Sequence, residues 1–148
     1  MSLQQISVFL DNRPGSLSEA IAHLDRSQIK IFALSIADAG EFGLIRMITE
    51  EPERAAKILE GADFNLAKSK KNIEVIVIMI TEKVTISRIA KILADNNLNI
   101  EYAYSSAVRT DGKFALILRV NDLEKAESIL EENNITLLSF DEVKKSLK

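Results

Sequence analysis

The chain has 148 residues, 47% of them hydrophobic, with no cysteine, one histidine and a formal net charge of −3 at pH 7. That profile fits one ordinary globular domain or two very small ones and argues against disorder. Without cysteine there is no disulfide framework, thiolate nucleophile or cysteine-based zinc site, and Lys and Arg scattered among acids give no field for a phosphate backbone, so nucleic acid is not an expected partner.

Ile6-Ser7-Val8-Phe9-Leu10 reads as a strand, and Leu17, Ala20, Ile21 and Leu24 fall on one face of a helix that follows it. Ile31 to Ile36 and Phe42 to Ile48 read as a strand pair joined at Asp38-Ala39-Gly40-Glu41, whose glycine can take positive φ. A second helix follows Pro52, with Ala55, Ala56, Ile58 and Leu59 as its buried stripe, and a last strand is expected from Phe64 to Lys68. His23, beside the Ala20-Ile21-Leu24 stripe, reads as a boundary residue rather than a ligand or base.

The order then repeats. Sliding the chain along itself by 69 to 72 positions places Leu17 on Ile86, Leu24 on Leu93, Ile31 on Ile100, Phe42 on Phe114, Ala55 on Ala126 and Ile58-Leu59 on Ile129-Leu130. The offset changes within loops: one residue is lost after the first strand, and three are gained around a second hairpin at Arg109-Thr110-Asp111-Gly112. The expected fold is α+β, two tandem ferredoxin-like βαββαβ units with antiparallel sheets and helices on one face. The units are assigned to residues 1–70 and 71–148, the second ending in a short charged helical tail from Asp141.

Several strands carry apolar residues on both sides, as in Phe9 beside Val8 and Val75 and Val77 beside Ile76 and Ile78. A second copy of the chain is the expected cover, giving a homodimer. No apolar run approaches the roughly 20 residues that span a bilayer, and Met1-Ser2-Leu3-Gln4-Gln5 has neither a basic start nor an apolar signal core. A cytoplasmic protein with no membrane partner is expected.

This topology serves many functions, so function must come from a site. Base-stacking modules need exposed aromatics, and Phe42 and Phe114, each opening a strand, read as core. Metal carriers need paired cysteines. Small phosphatases cradle phosphate in the first loop, where Arg13 sits, but no glycine-rich nest surrounds it. No catalytic residues, metal or cofactor are expected, and the chain reads as a non-enzyme.

The break between the first strand and helix, Asp11-Asn12-Arg13-Pro14-Gly15-Ser16-Leu17, is the distinctive local feature. Gly15 lets a ligand approach the backbone, Pro14 fixes the path, and Ser16 with Glu19 reads as a capping box. Unpaired N–H groups at the helix start suit a carboxylate, while Asp11 and the Asn12 carbonyl are acceptors for an ammonium. With the repeated βαββαβ pattern, this loop resembles that of the ACT domain family, small regulatory modules that bind amino acids in metabolic enzymes. The resemblance spans nearly the whole chain as two copies and is stronger in the first. The second copy has Thr81-Glu82-Lys83-Val84-Thr85 in place of the Pro-Gly break, but Asn99-Ile100 at its second strand, where the first has Lys30-Ile31.

The resemblance implies a ligand held between the first loop of one unit and the second strand of a neighbour. Carried onto this sequence, it implies a site of Asp11, Asn12, Arg13, Pro14, Gly15, Ser16 and Leu17 with Asn99, Ile100 and Glu101, within a chain or across a dimer. It further implies a non-catalytic protein that senses a free amino acid and modulates a partner enzyme or transporter. The alternative is an assembly subunit that keeps the fold and binds no ligand.

Overall fold

The computed structural model describes residues 3–106 and 112–146, so the turn expected at Arg109-Thr110-Asp111 lies outside the described residues. Contacts divide the chain into two compact bodies, an N-terminal one of Gln4–Ile73 and a C-terminal one that runs from Glu74 and takes in Leu3. After β1 (Leu3–Gln4), the N-terminal body contains β2 (Ile6–Asp11), α1 (Ser16–Arg26), β3 (Ile31–Ala39), β4 (Phe42–Thr49), α2 (Pro52–Gly61), β5 (Asn65–Leu66) and the short turn of helix α3 (Lys70–Ile73). The C-terminal body follows with β6 (Glu74–Ile80), α4 (Ile86–Asp95), β7 (Ile100–Ser105), β8 (Phe114–Val120), α5 (Leu123–Glu132) and α6 (Phe140–Ser146). The sheets run β3-β4-β2-β5 and β1-β6-β8-β7. These are two ferredoxin-like βαββαβ units.

In the N-terminal body Ile6, Val8 and Leu10 of β2 and Ile45 and Met47 of β4 pack with Ala20, Leu24, Ala55 and Leu59 of the helices. Burying each of the larger side chains contributes about 1.5–3 kcal/mol. The C-terminal body repeats this core with Ile76, Ile78, Leu116 and Leu118 against Ile89, Leu93, Ala126 and Leu130. His23 lies half-buried at the rim, edge-on to Phe64 with ring centres 5.9 Å apart.

The repeat extends to backbone detail. Four helices end on one motif: Leu24, Leu59, Leu93 and Leu130 accept from the N–H of Ile29, Phe64, Leu98 and Ile135 at 2.9–3.0 Å. The residue before each donor, Gln28, Asp63, Asn97 or Asn134, is left-handed, with φ of 57–67°. This is the Schellman closure, in which an apolar residue past the turn also covers the helix end. Both second strands bulge at their start, between Ile31 and Ala33 and between Ile100 and Tyr102.

Three expectations need correction. The strand from Phe64 to Lys68 shrinks to Asn65–Leu66, because the Phe64 N–H is spent closing α2. In the C-terminal body the matching strand is a single bridge, Ile78 to Leu137. Phe42 and Phe114, aligned by sequence, are not equivalent: Phe42 pairs with Asp11, but Phe114 pairs with the core residue Ile80. Val8 pairs with Ile45 and Ile78 with Leu116, which sets Phe42 on Lys113 instead. A one-residue shift in a strand exchanges faces, so Phe114 packs against the core and Phe42, read as core, is 49% exposed on the face away from the helices.

Val75 and Val77 are buried within the single chain. The need for a covering second copy therefore falls away on β6 and persists at Phe9 and Phe42, which stay 40% and 49% exposed.

Candidate functional site

The β2–α1 loop begins where Asp11 ends its strand opposite Phe42. The chain turns at once, with the Arg13 N–H donating to the Asp11 carbonyl at 2.9 Å, and Gly15 brings it into α1 at φ 87°. A side chain at Gly15 would meet nothing within 4 Å, so glycine is needed for its left-handed backbone and not to relieve a clash. Asp11, Asn12, Arg13, Pro14 and Gly15 are exposed, Leu17 is half-buried against the core, and Ser16 is only 5% exposed, first in the buried stripe Ser16, Ala20, Leu24.

The expected Ser16–Glu19 capping box does not form. Gly15 occupies the N-cap, its carbonyl accepting from the Glu19 N–H at 2.9 Å, which makes Ser16 the first helical residue. The Glu19 carboxylate instead accepts from the Arg13 guanidinium at 3.1 Å, and Asp11 lies 3.7 Å from the same group. Hydrogen bonding to Glu19, then the charges of Glu19 and Asp11, hold Arg13 above its ordinary arginine value. The start of α1 is left uncapped by any side chain. The N–H groups of Leu17 and Ser18 find no backbone acceptor among the described residues, and the Ser16 hydroxyl makes no hydrogen bond there.

The corresponding loop of the C-terminal body is closed upon itself. Thr85 caps α4, accepting from the Arg88 N–H at 3.1 Å, and the Thr81 hydroxyl accepts from the N–H groups of Lys83 and Val84 at 3.2 and 3.0 Å. The Arg88 guanidinium spans from the Lys83 carbonyl to that of Asn133. The start of α4 thus carries the side-chain cap that the start of α1 lacks.

Asn99, Ile100 and Glu101 lie at the start of β7. The Asn99 N–H donates to the Asn121 side chain at 2.9 Å and its carbonyl accepts from the Asn121 N–H at 3.1 Å. Lys30 and Glu50 make the same two-bond latch in the N-terminal body, so Asn99 has a structural role. Ile100 packs against its own core. Glu101 lies 3.5 Å from Arg119, with side chains 24% and 12% exposed, and Arg119 also donates to the Glu74 carbonyl.

Two hollows of the N-terminal body escaped the sequence reading. One, of about 240 Å3, lies between α2 and the β2–β5 edge, lined by Ile6, Ala56, Leu66 and Ile73. The buried side chains at its back, Gln5 and Ser7, both donate to the Asn72 carbonyl. The other, of about 280 Å3, is lined by Phe9, Phe42 and Asn65 and adjoins Asp11. Its signal was the offset of Phe42 within the repeat. Among the described residues no cluster of His, Asp and Glu could hold a metal, and no helix is long and apolar enough to cross a membrane.

Comparison with known proteins agrees with this architecture. A Bacteroides thetaiotaomicron protein superposes with a TM-score of 0.84 at 27% identity, over 97% of this chain and 96% of its own. The ligand-free regulatory subunit of aspartate kinase from Thermus thermophilus superposes at 0.59 with 16% identity, over 86% and 88%. Its counterpart from Thermus flavus superposes at 0.54 with 15% identity, over 98% and 92%, and at these identities the likeness is one of fold. No curated protein matches the sequence. The family model for the ACT domain pair matches residues 1–147, and the chain belongs to that family.

Proposed function

We propose that the N-terminal body binds a free amino acid at the Asp11–Leu17 loop and that the chain is a non-catalytic sensor acting on a partner metabolic enzyme. The observation that carries this reading is the open start of α1: unpaired Leu17 and Ser18 N–H groups and the unpartnered Ser16 hydroxyl, beside an exposed Asp11 carboxylate. The amides and the positive end of the helix dipole receive the α-carboxylate. Asp11 receives the α-ammonium. Arg13 spans Asp11 and Glu19, so both ends of the loop lie within reach of one guanidinium. A ligand ammonium displaces Arg13 from its longer contact, at Asp11, and leaves the shorter one to Glu19.

Membership in the ACT domain pair family supports a regulatory role, as do structural neighbours that are regulatory subunits of aspartate kinase. The C-terminal loop, whose helix start is capped by Thr85 and which has no Pro-Gly break, is assigned no ligand. Regulation then requires only that the partner prefer the chain with this loop ordered around its ligand. The coupling is the difference in amino-acid affinity between the free and partner-bound chain.

The test is thermal unfolding of the purified chain with each of the twenty amino acids, repeated with Asp11→Asn. A ligand at about 100 times its Kd stabilises by about 2.7 kcal/mol, a shift of several degrees. One amino acid should raise the midpoint of the wild type and much less that of the variant. No shift with any of them would leave the chain an assembly subunit.

A further inference from the structure

Of the exposed large hydrophobic residues among those described, Phe9 and Phe42 lie on the same face of the same sheet, on its two central strands. Phe42 stands opposite Asp11 and Phe9 opposite Leu44, so the rings are diagonal neighbours, within reach of one another across a sheet. Asn65 flanks Phe9 on its other side, and the three line the hollow of about 280 Å3. The register of β8 gives the other body no such pair: Lys113 stands at the Phe42 position, and Phe114 packs into its core. The aromatic pair therefore occurs in the body with the open loop.

We propose that the ligand's side chain lies on these rings, and that the amino acid sensed is an aromatic one. The inference rests on the loop reading above. An ammonium held by Asp11 places the α-carbon beside Phe42, because the two residues are direct cross-strand partners. From there the side chain runs along the open face toward Phe9, onto a surface that is apolar except for the Asn65 amide at its far end. Two rings offer a flat side chain offset or edge-to-face contacts, which a branched aliphatic chain cannot match. Asp11, opposite Phe42, and Glu41, next to it in sequence, favour a group that leads with a cation.

The experiment is equilibrium dialysis of the whole chain against L-phenylalanine, L-tyrosine, L-tryptophan, L-leucine and L-isoleucine. Phe42→Ala, Phe9→Ala and Phe42→Leu are dialysed alongside, with the sedimentation of each protein followed. One aromatic amino acid is expected to bind at least about tenfold more tightly than leucine, and Phe42→Ala to remove about tenfold of that affinity while changing leucine little. Phe42→Leu keeps an apolar cover, so if the alanine variant folds poorly the leucine variant carries the test and should lose the aromatic preference alone. Preference for an aliphatic amino acid that Phe42→Ala leaves unchanged overturns this inference and keeps the loop reading. No binding of these or of the other amino acids overturns both. Loss of a dimer in Phe42→Ala with binding unaltered assigns the rings to a contact between copies and also overturns the inference.

Discussion

Asp11 and Phe42 face each other across the β2–β4 ladder, on the side of the sheet away from the helices. One residue carries an exposed charge at the mouth of an uncapped helix, and the other an aromatic ring that the fold does not bury. In the C-terminal body the same two places hold Thr81 and Lys113. Duplication thus preserved the cores, bulges and helix ends while the chemistry diverged at one strand end. A shift of one residue in β8 is enough, since it turns the repeated phenylalanine from the open face to the core.

Gly15→Ala separates backbone from contact. Its φ of 87° lies where a Cβ is strained, yet the space around it is empty. The substitution should destabilise the chain by about 1 kcal/mol, measured by urea unfolding, through conformation alone. Gly15→Asn should cost less, because asparagine tolerates the left-handed region. Equal losses would show that contacts, and not φ, set the cost.

Glu101→Gln tests whether the start of β7 serves structure. The Glu101–Arg119 pair is mostly shielded, and removing the negative charge leaves a guanidinium held by the Glu74 carbonyl. A loss of about 1–3 kcal/mol in unfolding free energy is expected, the cost of leaving a shielded polar group without its partner. Amino-acid affinity of the folded chain should stay within twofold, on the order of 0.4 kcal/mol. A large change in affinity with little change in stability would place Glu101 at the ligand.

Most of the fold could be read from the chain because helix stripes such as Leu17, Ala20 and Leu24 obey a period that sequence displays directly. Register could not. The run Val75 to Ile80 is apolar at every position, so no alternation fixes which residues face the helices, and pairing Phe42 with Phe114 looked natural. The capping box failed for a related reason. Ser16-x-x-Glu19 and Ser139-x-x-Glu142 have the same form, but Gly15 takes the cap in the first, while the second box forms in full. What distinguishes them is the backbone one residue earlier.

Gln28→Gly should stabilise the protein. Gln28 is the left-handed residue that closes α1, at φ 59°, and its side chain is exposed. Glycine removes the Cβ penalty and keeps both closing bonds, a gain of about 0.5–1 kcal/mol after the added freedom of the unfolded chain is counted. Asn97→Gly, at the matching end of α4, should gain less. Denaturant midpoints of the two variants at unchanged m-value provide the comparison, and a loss in Gln28→Gly would mean the side chain contributes something its position does not reveal.

The end of the chain should respond to acid before the cores do. Glu142 accepts from the Ser139 N–H at 3.1 Å while the Ser139 hydroxyl accepts from the Glu142 N–H at 3.2 Å, a reciprocal cap at the start of α6. These bonds, backbone first, with a smaller contribution from Lys145, hold the Glu142 carboxyl below its ordinary value of 4.5. A carboxyl whose folded value is depressed contributes stability that is present above its unfolded value and lost as pH falls through the folded one. The cap should therefore hold at neutral pH and open as the solution is taken below 4.5. Hydrogen exchange at the Val143 amide, which donates to the Ser139 carbonyl at 2.9 Å, should lose protection in that window, after correction for the intrinsic pH dependence of exchange. Glu142→Gln should show weaker protection at neutral pH and little further loss on acidification. If wild type and variant lost protection in parallel, the acid response would belong to another group.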